Sequence, residues 1–520
     1  MIVEIPPFRL EPFQYTDLPP SSISLLSFIQ RPDQSEPYSI CDVPMIGCLL
    51  ETVDISTNPH FDSLSYTWGN PHKTQPGSGD DYATDHKWPI VVNGRLVYVA
   101  KNLYEGLPQL RQIRATGKND VDRRHQPFDK TELIRAAEGG RLKDIMACIQ
   151  RGADLQSQDR FGETALHYAA ASGRVEIVHA VKVWRIGGLI WIDAVCVNQR
   201  NAAERNAQVA MMADIYGKAQ SVTAWLGVAD GTTDVAREAM TTVVRNPGKG
   251  VNASLQLYYN RRNDPTTDED AKPNGILLSI RQTRAIISLL QRPWFYRTWI
   301  GQEVALVKEL ILYCGTYKFM WREVLELLQR RMGNHGRKVN ESVSEKPTNK
   351  YGILSSGWRQ SWVAAILGAS SLIDIRLRTR KDVKGREGVF VVPGGMPIKA
   401  WLSKLTLPVL LVLSWDFAAA DPRDKIYALL SIAQDGQAVK ADYNNSLGEV
   451  FTQVGRMLVQ AKGDNKVQHV YRHFVEDFEP LEMVSFVQVP PTSHKRPAGL
   501  PSWVPTFHWP LNVGRIFGRP

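Results

Sequence analysis

Leu189-Ile-Trp-Ile-Asp-Ala-Val195 is a continuous apolar run of strand length, interrupted only by Asp193 near its end. A strand with one wet face alternates apolar and polar residues, so this run suits a parallel strand covered on both faces. Downstream, Ala207 to Ala219 carries Val209, Met212 and Ile215 at helical spacing, and Ser221-Val-Thr-Ala-Trp-Leu-Gly227 is a second β-rich run closed by glycine. Strand, helix, strand in this order predicts a right-handed parallel unit. Upstream, Phe61-Asp-Ser-Leu-Ser-Tyr-Thr-Trp-Gly69 reads as a strand running into a loop dense in turn formers. Pro89-Ile-Val-Val and Leu96-Val-Tyr-Val flank Asn93-Gly94, a dipeptide that favours a two-residue hairpin turn. From Asn102, a helix cap by type, Leu103, Leu107, Leu110 and Ile113 recur at helical spacing. Further on, Asp234 to Leu290 reads as helical, Trp294 to Val307 as one helix with Trp299, Val304 and Val307 toward one side, and Glu309 to Gly315 as a short strand.

Between the first helix and the Leu189 run the composition changes. Thr131, Leu133, Ala136, Ala137, Gly140 and Arg141 recur as Thr164, Leu166, Ala169, Ala170, Gly173 and Arg174, every pair 33 residues apart. That period, with Gly162-Glu-Thr-Ala-Leu-His-Tyr-Ala-Ala170, resembles the ankyrin repeat. Fewer than two units cannot bury their own faces, so the insertion must lean on its host domain or be poorly ordered. Beyond Trp321 the chain reads mainly helical, with a polar linker near Gly333 to Gly357, a Gly-rich stretch near Gly385 to Gly395, and regular structure at Leu402 to Leu413 and Lys425 to Ile432. The expected division is 1–127 and 185–320 as two parts of one α/β domain, 128–184 as the insertion, and 321–520 as a mainly helical region.

The 520 residues are 43% hydrophobic, enough for several cores. The net charge of +9, from 62 basic and 53 acidic residues, is spread along the chain and argues for no nucleic-acid partner. The nearest basic cluster, Arg376 to Lys384 followed by Arg386, reads as a solvated loop. Cys41, Cys48, Cys148, Cys196 and Cys314 contain no CxxC pair, which suggests neither a disulfide framework nor a zinc site. The proline-broken N-terminus lacks the plan of a signal peptide, and the longest apolar stretch, Leu405 to Trp415, contains Pro408. A cytoplasmic protein with no membrane span is expected.

Polar residues at the C-terminal ends of parallel strands face the crevice where open α/β sheets bind ligands. Asp193 and Cys196-Val-Asn-Gln199 are placed there, with Glu204 and Arg205 next to them. Asp193 and Glu204 also fit a structural role as helix caps or loop anchors. Trp299 and Glu303, four apart, share a helical face, and an acid against an indole can support an oxocarbenium-like transition state, although the same spacing suits an ordinary amphipathic helix. Cys196 has no hydrolase signature around it and reads as a buried thiol. There is no GxxxxGK[ST], HExxH or GxGxxG, so no bound nucleotide cofactor or metal is expected. His60, His72 and His86 read as surface histidines.

Leu64-Ser-Tyr-Thr-Trp-Gly69, Trp191-Ile-Asp-Ala-Val-Cys-Val-Asn-Gln199, Glu204-Arg205, Gln208-Val209, Met212, Ile215-Tyr216 and Val222-Thr-Ala-Trp-Leu-Gly227 together resemble the fungal heterokaryon incompatibility (HET) domain. Arg292-Pro-Trp-Phe-Tyr-Arg-Thr-Trp-Ile-Gly-Gln-Glu303, Asp421-Pro-Arg-Asp-Lys-Ile-Tyr-Ala-Leu-Leu430 and Leu500-Pro-Ser-Trp-Val-Pro505 extend the resemblance. It implies non-self recognition and programmed cell death, through protein partners and self-association. HET domains are in turn similar to TIR domains, which implies a TIR-like, flavodoxin-like parallel sheet with helices. In TIR enzymes that cleave NAD, a helix carries Trp-x-x-x-Glu with the glutamate catalytic, a pattern that Trp299 and Glu303 fit. The same resemblance puts Tyr66 and Trp68 near the ligand crevice, where Asp193, Asn198 and Gln199 stand by position, and makes Asp193 the opening of a self-association loop that carries Glu204, Arg205 and Gln208. NAD would then be a substrate, not a cofactor. A third reading is an adaptor whose ankyrin-like insertion binds another protein.

Overall fold

The computed structural model describes residues 10–29, 38–40, 43–72, 82–83, 86–116, 124–150, 153–155, 157–174, 185–247, 249, 251–253, 276–333 and 417–460, with positions 369, 372, 375, 376, 405–407, 410, 411 and 414. The chain divides into Met1–Val228 with Val307–Thr316, and Ala229–Leu306 with Tyr317–Pro520. Elements are numbered along the whole chain. The first unit contains β1 (Ser22–Ile29), β2 (Tyr38–Ile40), β3 (Val43–Met45), β4 (Gly47–Asp54), β5 (Phe61–Tyr66), β6 (Lys87–Val92), β7 (Arg95–Ala100), β8 (Arg185–Trp191), β9 (Ser221–Trp225) and β12 (Glu309–Cys314). Its helices are α1 (Lys101–Thr116), α2 (Glu132–Gly139), α3 (Leu142–Gln150), α4 (Ala165–Ala171), α5 (Asp193–Cys196) and α6 (Ala202–Lys218).

The strands of the main sheet in this unit stand in the order β12-β9-β5-β8-β1-β4-β6-β7. The β12/β9, β9/β5 and β5/β8 pairs are parallel. Numbered in chain order, these four strands lie about as 2-1-3-4, the winding of flavodoxin-like sheets, whose ligand crevice opens at the carboxyl ends of the first and third strands. The expected parallel sheet is therefore one half of a larger mixed sheet. β1, fully buried over its first seven positions, pairs antiparallel with both β8 and β4, and the β6/β7 hairpin closes the far side. Its turn is the expected Asn93-Gly94, with φ of 49° and 74°, and the Asn93 amide exchanges hydrogen bonds with the backbone of Leu50.

Helix α1 covers one face of the parallel strands through Leu103, Leu107 and Leu110, all buried. It runs antiparallel to β5. At its start the Asn102 amide donates to the carbonyl of Thr67, and near its end Arg114 pairs with Asp62 at 2.7 Å and donates to the Leu189 carbonyl. The absence of a side chain at Gly106 lets the helix approach the Trp225 indole, to which an added Cβ would come within 3.0 Å.

The insertion leaves the sheet after α1 and returns at β8. Its repeat is visible atom by atom. Thr131 caps α2 by accepting from Ile134 N, while Thr164 N donates to His167 Nδ1 at the start of α4. Both helices end on left-handed glycines, Gly140 and Gly173, and in both the next residue, Arg141 or Arg174, donates its N–H to Ala136 or Ala169. The turn residues Asp129 and Gly162, again 33 apart, are also left-handed. Leu133, Ile134, Ala137, Ile145, Cys148 and Ala169 form a small core, and α3 also touches β8, so the insertion does lean on its host.

The second unit contains α7 (Thr233–Arg245), the parallel pair β10 (Val251–Ala253) and β11 (Ile276–Leu278), α8 (Ile280–Leu290), α9 (Thr298–Leu306), β13 (Tyr317–Met320), α10 (Trp321–Gly333), α11 (Asp424–Leu430) and α12 (Leu447–Gln460). Asp234 to Leu290 is thus not helical throughout. Nor is Trp294 to Val307 one helix: Pro293 opens a 3-10 turn to Tyr296, and Arg297 is extended (φ −80°, ψ 136°). The break is held because Thr298 gives its N–H and hydroxyl to the Ala418 carbonyl. Ala305, Ile426, Leu429, Val450, Phe451 and Val454 gather α9, α11 and α12 into one core. The 334–357 and 385–395 linkers, most of the 402–413 segment, the basic cluster after Arg376, and Leu500 to Pro505 lie outside the described residues.

Candidate functional site

The carboxyl ends of β5, β8 and β9 come together around α1. Asn102, fully buried, bridges two of them: its amide nitrogen donates to Thr67 O at 2.7 Å, and both its carbonyl and its side-chain oxygen accept from the Trp225 indole at 3.0 Å. The third strand joins through Trp68, whose indole donates to the Asp193 carboxylate at 2.8 Å. Trp68 is 39% exposed and presents an aromatic surface at this edge. Tyr66, expected at the crevice, is a core residue with 1% exposure, because strand alternation sends it beside Trp225 under α1.

The segment after β8 is tied to itself. Asp193 starts the short helix α5 and accepts from Ala194 N, while Gln199 donates its amide to the Asp193 carbonyl. Glu204 accepts from Asn198 N at 2.8 Å, and Asn201 caps α6 by accepting from Ala203 N and Glu204 N. Tyr15 donates its hydroxyl to Val195 O, and burial raises its pKa, with Cys196 and Glu204 adding to the effect. Asp193, Asn198, Gln199, Glu204 and Arg205 are all partly exposed along this edge. Gln208 is not: 2% exposed, it donates to the Ser22 carbonyl from the inner face of α6. Cys196 is fully buried, and desolvation pushes its thiol up to about 12, the state of an inert packing residue.

Trp299 and Glu303 stand on α9, in the second unit. Glu303 is 3% exposed, so a substrate has no open route to it in this conformation. The Trp299 indole is engaged by the buried carboxylate of Asp424 on α11. Asn102 and Asp424 are the residues that sequence reasoning assigned no site role. The first reads as a helix cap, and only the motif around the second drew notice. Among the described residues no cluster of His, Cys, Asp and Glu is arranged to hold a metal, and no helix is long and apolar enough to cross a membrane.

Residues 166–303 match the model of the family described as heterokaryon incompatibility protein, from within the insertion through β8, the Asp193 edge and β9 into α9. Those residues are HET-domain sequence. Residues 133–180 match the ankyrin repeat model, which overlaps the start of the HET match. Heterokaryon incompatibility protein 6, OR allele, of Neurospora crassa is 25% identical over 346 residues, covering 64% of this chain and 46% of its own length. The chain thus spans less than half the length of that HET relative. Two Rickettsia felis proteins named as ankyrin repeat proteins are 40% identical over 47 residues, which is 9% of this chain and 75% and 71% of theirs. No solved structure matches.

Proposed function

We propose that the chain is an incompatibility-type signalling protein, which acts in the cytoplasm in non-self recognition and triggers programmed cell death by assembling through the Asp193 to Arg205 edge of its HET domain. One observation carries the choice of assembly over catalysis. The polar groups at the strand ends hold the edge in shape through one another, whereas Glu303 is buried. A preorganised, partly exposed edge is what a protein–protein contact needs. The name of the Neurospora relative supports the incompatibility role.

A second reading, NAD cleavage with Glu303 catalytic and Trp299 beside it, draws support from the Trp-x-x-x-Glu spacing that the two residues keep on α9. Expression in a fungal host separates the two. Assembly predicts that Arg205→Glu abolishes self-association and death, while Glu303→Gln, which keeps size and polarity, leaves both intact. NAD cleavage predicts that Glu303→Gln alone stops both NAD loss and death. An adaptor role for the insertion is supported by Phe128 and Phe161, 43% and 62% exposed at the tips of its turns, and predicts that deleting 128–184 removes a bound partner.

A further inference from the structure

Helix α9 is anchored in the second unit by residues far along the chain. Besides the Thr298 bonds to Ala418, Gln302 donates to the Ser431 hydroxyl, and Arg376 donates to the Val304 carbonyl at 2.5 Å. Gly301 faces Ile375 and Leu429, with 3.6 and 3.9 Å from an added Cβ. At the centre of this contact lies Asp424, which accepts from the Tyr443 hydroxyl at 2.5 Å and from the Trp299 indole. Tyr443 is itself fixed: Arg423 forks onto Asp421, donates to the carbonyls of Tyr443 and Asn445 at 2.7 and 2.8 Å, and lies over the Tyr443 ring. The start of α11 is fixed too, since the Lys425 ammonium donates to the carbonyls of Ser414 and Phe417. Every charged residue of Asp421-Pro-Arg-Asp-Lys425 is therefore committed to one joint.

We infer that Asp424 is the positioning residue of α9: by holding the Trp299 indole it sets the rotation of the helix and hence the direction of Glu303. Residues four apart lie one above the other on a helix, so fixing the first fixes the second. The working HET unit then extends past residue 303, where the family match ends, to include at least residues 414–445. This inference rests on the second reading above, in which Glu303 acts in signalling, and not on assembly through the Asp193 to Arg205 edge. Burial holds the Asp424 carboxyl above the usual aspartate range although the Tyr443 and Trp299 donors favour its charged form. A carboxylate can meet the two donors with two oxygens, whereas an amide has a single oxygen to share between them and turns an NH2 toward one of them.

The test uses the full chain with 15N-labelled tryptophan, following the Trp299 indole N–H resonance, assigned with Trp299→Phe, alongside death signalling in a fungal host. Asp424→Asn leaves one donor facing an amide NH2, so the Trp299 resonance should move toward its unbonded position and signalling should be lost. Adding Tyr443→Phe frees the amide oxygen for Trp299, so the double variant should recover both. Trp299→Phe keeps an aromatic ring but no N–H, leaves no buried donor unpaired, and should lose signalling by itself while folding normally. An unmoved indole resonance in Asp424→Asn overturns the inference, as does full signalling by Trp299→Phe. A native chain that never signals refutes the functional reading instead, and the indole shift alone then decides the positioning role.

Discussion

Replacing Asn102 with alanine is the most direct test of how the crevice is built. The side chain makes two buried hydrogen bonds, to Thr67 O at 2.7 Å and from Trp225 Nε1 at 3.0 Å, and the indole keeps the Asn102 backbone carbonyl as a second acceptor. The uncompensated loss is the Thr67 carbonyl. Leaving such a group without its donor costs about 1–3 kcal/mol, and the small void adds ~1 kcal/mol. The sum is roughly 2–4 kcal/mol, and at about 2–4 °C per kcal/mol for a unit of this size the melting midpoint should fall by roughly 4–16 °C. Scanning calorimetry of the full chain measures it. Asn102→Asp should be worse than alanine, because a carboxylate keeps the volume but opposes the carbonyl with a second oxygen. Trp225→Phe leaves the buried Asn102 side-chain oxygen without its donor and a void where the indole stood, and should cost about as much as the alanine variant. A midpoint change below ~2 °C for alanine, or an aspartate variant no worse than alanine, would refute the bridging role.

Four further outcomes are expected. Gly140→Ala should cost the ~1–2 kcal/mol of a left-handed alanine plus a clash, since its Cβ would fall 1.3 Å from Arg174 Nη1; Arg174→Ala should relieve the clash alone, and chemical denaturation of the paired variants checks it. Burial disfavours the Asp159 carboxylate, but hydrogen bonds from Tyr168 and from the Glu163 and Phe161 N–H groups outweigh it and lower its pKa. Its stabilising effect is therefore complete above the unfolded value near about 3.9 and is lost as pH falls through the folded one; hydrogen exchange of the insertion below about pH 4 should show this in the native chain and not in Asp159→Asn. Cys48, Cys148, Cys196 and Cys314 are buried, so a thiol reagent should modify none of them until denaturant is added. Arg423→Lys keeps the charge and loses the fork to Asp421 and two carbonyls, and should destabilise the second unit by about 1.5–3 kcal/mol in a calorimetric scan.

The parallel strands, the hairpin and α1 were legible because each carries a local signal: an unbroken apolar run, an Asn-Gly turn, a helical repeat of leucines. β1 and β4 were not. Ser22-Ile-Ser-Leu-Leu-Ser-Phe-Ile29 mixes serines into a strand buried on both faces, where backbone pairing across the sheet, rather than side-chain pattern, decides the structure. The break at Arg297 was hidden for a similar reason, since the carbonyl that stabilises it belongs to Ala418, 120 residues away along the chain. At the site, Asp193 and Glu204 were legible as chain positions, and both prove to anchor the edge as well as line it. Tyr66 and Gln208 were misplaced because a motif records order along the chain and not which face of a strand or helix a side chain takes.

The ankyrin insertion enters where α1 ends and leaves where β8 begins, and both lie at the amino edge of the sheet. Helix α1 has 16 residues, so about 24 Å of helix separates that edge from Asn102 and Trp68. A molecule seated on the insertion would therefore act on the carboxyl edge at a remove, through the rigidity of α1 and β8. Such a layout lets the cargo of the slot change over evolutionary time without rewriting the machinery at the other end.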